Sequence, residues 1–350
     1  MSQRLRGGAA KLACFVAILM APLLTGLGIG SVLAEEVNIY SSRHYQSDEA
    51  LYDAFTAGTG IKINRIEGSD DALIERIRSE GANSPADVLI TVDAGRLWRA
   101  EQAGLLQPVM SDTLNARIPA NLRDPDGKWF GFSQRARVIV YNKETADPAA
   151  LSRYEDLADP RWKGRICIRS GSNIYNLSLM AAMIEAVGDA QAEQWAKGVV
   201  ANLARPPQGG DTDQIKAVAA GECDVAVANT YYFVRLMRSD NPADRAVVEK
   251  LGVIFPNQDD RGTHVNISGA GVARHAPNQA AAVRFLEYLA SDEAQGYFAA
   301  GNNEYPVVEG VETNEALVAL GRFKIDPINV AVYGENQAQA QRIFDQVGWK

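Results

Sequence analysis

VNIYSSRHYQSDEALYDAFTAGTGIKINRI, residues 37–66, sets out the unit from which the chain is built. Residues 37–40 are a short apolar run that reads as a strand. A polar loop follows, and 47–56 form a helix with Leu51 and Phe55 one turn apart; 61–66 are the next strand. The pattern then repeats. A helix runs through Leu73, Ile74 and Ile77 and stops at Gly81, 86–91 are a third strand, and 93–103 are its helix, ended by Gly104. Strand, loop and helix in regular succession define an α/β architecture, here a doubly wound first lobe.

Beyond this block, residues 129–141 read as one long strand with no helix between it and the first lobe, and we take it as a crossing into a second lobe. There, 166–168 and 224–228 read as strands and 177–187 and 190–203 as helices. A second crossing is expected at 263–273, with helices at 279–290 and 293–299 and a mostly helical stretch from 314 to 350. The expected organisation is two doubly wound α/β lobes joined by a two-strand hinge: 35–134 plus 270–350 as lobe 1 and 135–269 as lobe 2. The side on which the C-terminal helices pack is left open. Ligands of such sheets sit beyond the carboxyl ends of the strands, where loops of both lobes meet.

Residues 1–34 stand apart. Arg4, Arg6 and Lys11 precede an apolar stretch over 12–33 with no acid among them, Val32-Leu33-Ala34 offers compact residues for cleavage, and Glu35-Glu36 follow at once. This is the pattern of an export signal cut after Ala34, which implies a periplasmic location; an uncleaved membrane anchor is the competing reading. The formal charge of the chain is −8, and loss of a basic leader makes the remainder more acidic still. Nucleic acid and anionic membrane surfaces reward clustered Lys and Arg, so neither is an expected partner. Outside the leader, Cys167 and Cys223 either pair in an oxidising compartment or stay as free thiols on neighbouring strands; no CxxC suggests a cysteine metal site.

Filtering for loops just after strands leaves residues rich in tyrosine. His44 and Tyr45 follow the first strand, Tyr175 follows the 166–168 strand, and Tyr231 and Tyr232 follow the 224–228 strand. Neighbouring side chains in a strand point to opposite faces, so Tyr231 and Tyr232 converge on one ligand only from a turn or a helix start, which Asn229 and Thr230 supply. A phenol is a poor ligand while protonated, with a pKa of ~10. A hard, highly charged cation displaces that proton, and ferric iron suits oxygen donors best. Four phenolates would leave such an ion negative, and Arg43 or Arg235 is placed to offset the excess. The alternative is that the tyrosines are walls of a cleft that stack on an organic solute such as a polyamine or a sugar.

Three segments, VNIYSSRHY (37–45), IRSGSNIY (168–175) and DVAVANTYY (224–232), resemble the periplasmic ferric-iron-binding proteins of bacterial iron ABC importers, within the type II solute-binding, transferrin-like group. The resemblance covers essentially everything after the leader. It implies that Tyr231 and Tyr232 are the paired ligands, that Tyr175 joins them from the same lobe, and that Tyr45 with His44 closes from the other. Arg235 resembles an arginine that supports the pair. A second branch of the group uses a histidine, a glutamate, two tyrosines and a phosphate-like anion; the tyrosine-rich set here implies little dependence on such an anion. Water or carbonate in place of His44 is the open point. The same resemblance implies delivery of Fe(3+) to an inner-membrane permease, and a monomer is expected. GxSxG, HExxH and GxxxxGK are all absent, and the glycines at 26, 28 and 30 fall in the leader, so an enzyme is not expected. His264 and His275 have no evident nucleophile beside them and read as hinge or surface residues.

Overall fold

A computed structural model describes residues 35–350 except His44, so the expected export signal and the histidine expected as a ligand beside Tyr45 lie outside the described residues. The first block forms as the periodicity implied: β1 (Glu36–Ser41), α1 (Asp48–Thr59), β2 (Lys62–Glu67), α2 (Asp70–Glu80), β3 (Val88–Thr91) and α3 (Ala94–Gln102). Both β2 and β3 pair with β1 in parallel. Local chemistry sets the boundaries: the Ser69 hydroxyl caps α2 and the Asp93 carboxylate caps α3, while α1 ends at Gly60 with φ 74°, a left-handed position glycine reaches without a Cβ penalty.

After α4 (Asp112–Arg117) comes β4 (Phe130–Asn142), a 13-residue strand buried along nearly its whole length. Its first part pairs antiparallel with β8 (Val265–Val272), and its second part, Arg137 to Tyr141, pairs with β6 (Val225–Asn229). Between them in sequence lie β5 (Ile166–Cys167), α5 (Ile174–Val187), α6 (Asp189–Ala201), α7 (Asp211–Ala220), α8 (Thr230–Met237), α9 (Pro242–Glu249) and β7 (Leu251–Ile254). The chain closes with α10 (Gln279–Leu289), α11 (Asp292–Asn302), β9 (Tyr305–Pro306), α12 (Glu315–Ala319), α13 (Val332–Glu335) and α14 (Gln337–Val347). The strand order β2-β1-β3-β8-β4-β6-β5 places β4 and β8 side by side in the middle, with α/β units on either hand.

Two cores follow from that arrangement. One gathers Ile39, Phe55, Leu89, Phe130 and Phe285 around β1, β3 and β8. The other gathers Ile139, Trp162, Met180 and Val227 with Ile343, Phe344 and Trp349 of the C-terminal end. So α14, whose side the sequence left open, packs with α5 and α6. Its end presses on the loop ahead of α5: the Trp349 indole N–H donates to the Arg169 carbonyl at 3.0 Å. A Cβ on Gly171 would meet the Trp349 carbonyl oxygen at 2.3 Å, so only glycine fits there. The 314–350 stretch is less helical than expected. Residues 320–331 form neither helix nor strand and are tied by the Thr263–Ile325 bridge and by the Val330 N–H to the Asn121 carbonyl, because Gly321 and Pro327 interrupt any helix.

A disulfide joins Cys167 and Cys223, with Cα atoms 5.8 Å apart, beside the parallel pair β5 and β6. Of the two histidines read as hinge or surface residues, His275 is exposed, and His264 is buried just before β8 against Tyr333, ring centroids 4.7 Å apart.

Candidate metal centre

Tyr231 and Tyr232 sit in the first turn of α8, where β6 ends. Asn229 occupies the N-cap with extended backbone, but its side chain does not cap; its Oδ1 accepts from Arg137 Nη1 at 3.0 Å. The helix start turns the two phenols to the same side, with ring centroids 4.2 Å apart and planes inclined by 32°. Tyr175 is the second residue of α5, whose N-terminus is capped by Asn173 accepting from the Tyr175 N–H at 3.1 Å. Its hydroxyl meets that of Tyr231 at 3.2 Å. Tyr45, half-buried in the loop between β1 and α1, lies within electrostatic reach of Tyr175, Tyr231 and Tyr232. The structure therefore brings four phenols together from three separate segments, one loop and two helix starts.

Burial pushes the Tyr231 phenol well above its usual value, and Tyr175, Tyr45 and Tyr232 add to the rise because a phenolate among phenolates repels. Tyr175 is raised for the same leading reason, then by Tyr232, against the opposing pull of Arg135. Tyr45 is raised by burial and by Glu304, with Arg43 and Arg135 opposing. Without a cation, then, these three phenols hold their protons at neutral pH, and only a strongly charged ion displaces them. Among the described residues, no group of three or more His, Cys, Asp or Glu side chains is arranged to hold a metal.

Cations ring the cluster. Arg169, Arg135 and Arg137 lie 5.2, 5.7 and 5.9 Å from the Tyr175 ring centroid, and Arg235, exposed on α8, lies 5.8 and 5.5 Å from those of Tyr231 and Tyr232. Arg43 is 5.0 Å from the Tyr45 ring, but its guanidinium is engaged by Asp48 and Glu304, so its charge is already balanced inside the protein. Sequence reading passed over Arg135 and Arg137, both buried, although the signal was there: two arginines two apart on a strand share a face, and no apolar strand buries a pair of cations without use for them. Nothing in the sequence pointed to Glu304 or to Asp211, whose carboxylate pairs with Arg137 and Arg169.

A sheet crossed by one long strand, with polar side chains gathered at strand ends, is the frame of a periplasmic binding protein, and the chain belongs to the bacterial extracellular solute-binding protein family, whose model matches residues 83–325. Its relatives include the iron uptake protein A2 of Synechocystis, 57% identical over 91% of this chain and 92% of that one. Among solved structures, the Trichodesmium FutA protein in complex with iron and citrate is 62% identical and superposes with a TM-score of 0.88, covering 90% of this chain and 100% of the other. The ferric binding protein of Campylobacter jejuni is 45% identical with a TM-score of 0.85, again covering 90% and 100%. The expected α/β fold of the type II binding proteins is thus the fold of this chain.

Proposed function

We propose that this chain is the substrate-binding component of an iron ABC importer, holding Fe(3+) through the phenolates of Tyr45, Tyr175, Tyr231 and Tyr232, with His44 as a further ligand. The observation that carries this reading is the meeting of hydroxyls, Tyr175 to Tyr231 at 3.2 Å, within a cluster that Tyr45 joins from another loop. A pair of tyrosines that sandwiches a sugar or polyamine needs ring faces held apart by the thickness of the guest. The Tyr231 and Tyr232 rings, 4.2 Å apart, leave no room between them, so the organic-solute reading is the weaker one. Residues 35–134 with 270–336 form one lobe in this reading. Residues 135–269 form the other with 337–350, an assignment supported by the packing of Phe344 and Trp349. The protein works in the periplasm after export, as a monomer, delivers iron to an inner-membrane permease, does not bind nucleic acid, and performs no catalysis.

Arg135 and Arg169 beside Tyr175, and Arg235 beside the pair, offset the negative charge of a multiply phenolate-bound ion. Arg43 acts instead on the loop that bears Tyr45. Ferric citrate added to the purified protein is expected to give an orange-red phenolate-to-iron absorption band. The Tyr231→Phe/Tyr232→Phe variant should lose that band while keeping its thermal melt. A colourless wild-type protein would overturn the iron assignment.

A further inference from the structure

Resting on the iron reading, we infer that Glu304 is a positioning residue for iron, the junction through which the Tyr45 loop is locked to both central strands. Asn303 ends α11 in a left-handed conformation, φ 58°, and this turn carries Glu304 back under the sheet, where it is 2% exposed. Its Oε2 accepts from Arg43 Nη1 at 2.8 Å and from Ser133 Oγ at 2.9 Å; its Oε1 accepts from Ser268 Oγ at 3.3 Å. Ser133 on β4 and Ser268 on β8 face each other across the ladder, just past the register shift between Gly131 and Ser133. One carboxylate therefore spans a cross-strand pair at the centre of the sheet and holds the arginine of the ligand loop.

The connections run on in both directions. Arg43 is fixed by Asp48 at 3.1 Å from both Nε and Nη2, and its guanidinium lies between the Tyr45 and Phe298 rings, 5.0 Å from each centroid. On the other side, Ser268 Oγ accepts from Arg135 Nη1 at 3.3 Å, and Arg135 stands over Tyr175. Tyr45 and Tyr175, which come from different loops, are thereby joined through Arg43, Glu304, Ser268 and Arg135. Asp48 already pairs with Arg43 through two bonds, so neutralising that arginine does not by itself call for Glu304 to reach Ser133 and Ser268 as well. Geometry does: groups that orient a ligand from behind set metal affinity by about 10–100-fold without touching the ion.

The test uses the full exported protein with ferric citrate as probe, reading iron affinity by citrate competition, the phenolate band, and the thermal melt. Glu304→Met fills the same space and leaves Arg43 paired with Asp48. It should weaken iron binding by about tenfold or more and shift the band toward that of Tyr45→Phe. Glu304→Gln keeps the acceptor and should restore both to near wild type. In the Tyr45→Phe background, Glu304→Met should cost little further, because both act on one ligand. Where Glu304→Met fails to fold, Ser133→Ala/Ser268→Ala, which frees the carboxylate from both strands, should show the same Tyr45-dependent loss. Unchanged affinity, additive losses, or a Gln variant as poor as the Met variant would overturn the assignment. A wild-type protein that never colours overturns the iron reading instead, so the two failures are distinct.

Discussion

His264 is buried with no hydrogen-bond partner for its Nδ1 among the described side chains, and Arg137, Arg135 and Arg261 all bear on it. Burial first, then these cations, depress its pKa from the usual 6.5 to about 3. The sign follows directly: between those values the unfolded chain binds a proton that the folded chain refuses, so stability falls as pH drops below 6.5. The slope is about 1.4 kcal/mol per pH unit. Replacing His264 with Phe keeps a ring against Tyr333 and removes the titration. The loss of unfolding free energy between pH 7 and pH 5, measured by urea denaturation, should shrink by about 2 kcal/mol in that variant. An unchanged acid slope would show that the histidine titrates normally. Position before β8 was legible in the sequence, but burial was not, since the groups that surround His264 come from β4, from the 255–262 turn and from α13.

Helix α7 shows the same limit for an element. Its sequence, DTDQIKAVAA, has a weak apolar stripe and follows Gly209-Gly210, so periodicity did not mark it, and α9 and β7 were missed with it. Its role lies in its first residue. Asp211, fully buried, accepts from the Asn229 N–H at 2.7 Å and pairs with Arg137 and Arg169 at 3.2 and 3.3 Å. One carboxylate thus ties α7 to the end of β6, to β4 and to the loop that leads into Tyr175. Asp211→Ala strands a buried guanidinium and a backbone N–H. A loss of about 3–5 kcal/mol is expected by denaturant titration; a loss under 1 kcal/mol would mean that the network is dispensable. By contrast, β1 to α3 were readable because their apolar residues recur at strand and helix spacing, although Tyr52 and Phe55 pack on Phe285 of α10, far along the chain. The tyrosine loops were readable because strand ends are where ligands gather. Long-range partners such as Asp211 and Glu304 leave no local pattern, and the irregular 320–331 segment is held by hydrogen bonds to residues far away in sequence.

At the scale of the whole molecule, the larger core runs from β1 and β3 across β4 and β8 to α7 and α8, the smaller packs α5, α6 and α14 on β6, and the proposed site draws ligands from the loop after β1 and from the starts of α5 and α8. Tyr45 belongs with β1 and α1, while Tyr175, Tyr231 and Tyr232 start α5 and α8, yet their phenols already feel one another. A ligand that binds this arrangement better than a separated one shifts the population toward it by the difference in affinity and no more. It also stabilises the fold as a whole, by about 2.7 kcal/mol at a free concentration one hundred times Kd. Ferric citrate should therefore raise the melting temperature by several degrees over citrate alone, and small-angle scattering should show a smaller or unchanged radius with iron, never a larger one. Tyr45→Phe separates the two sides of the site: iron should still colour it through the three remaining tyrosines, but with a smaller rise in melting temperature and less compaction. If Tyr45→Phe gains as much stability from iron as the wild type, the ion is held by one side alone and closure contributes nothing to its capture.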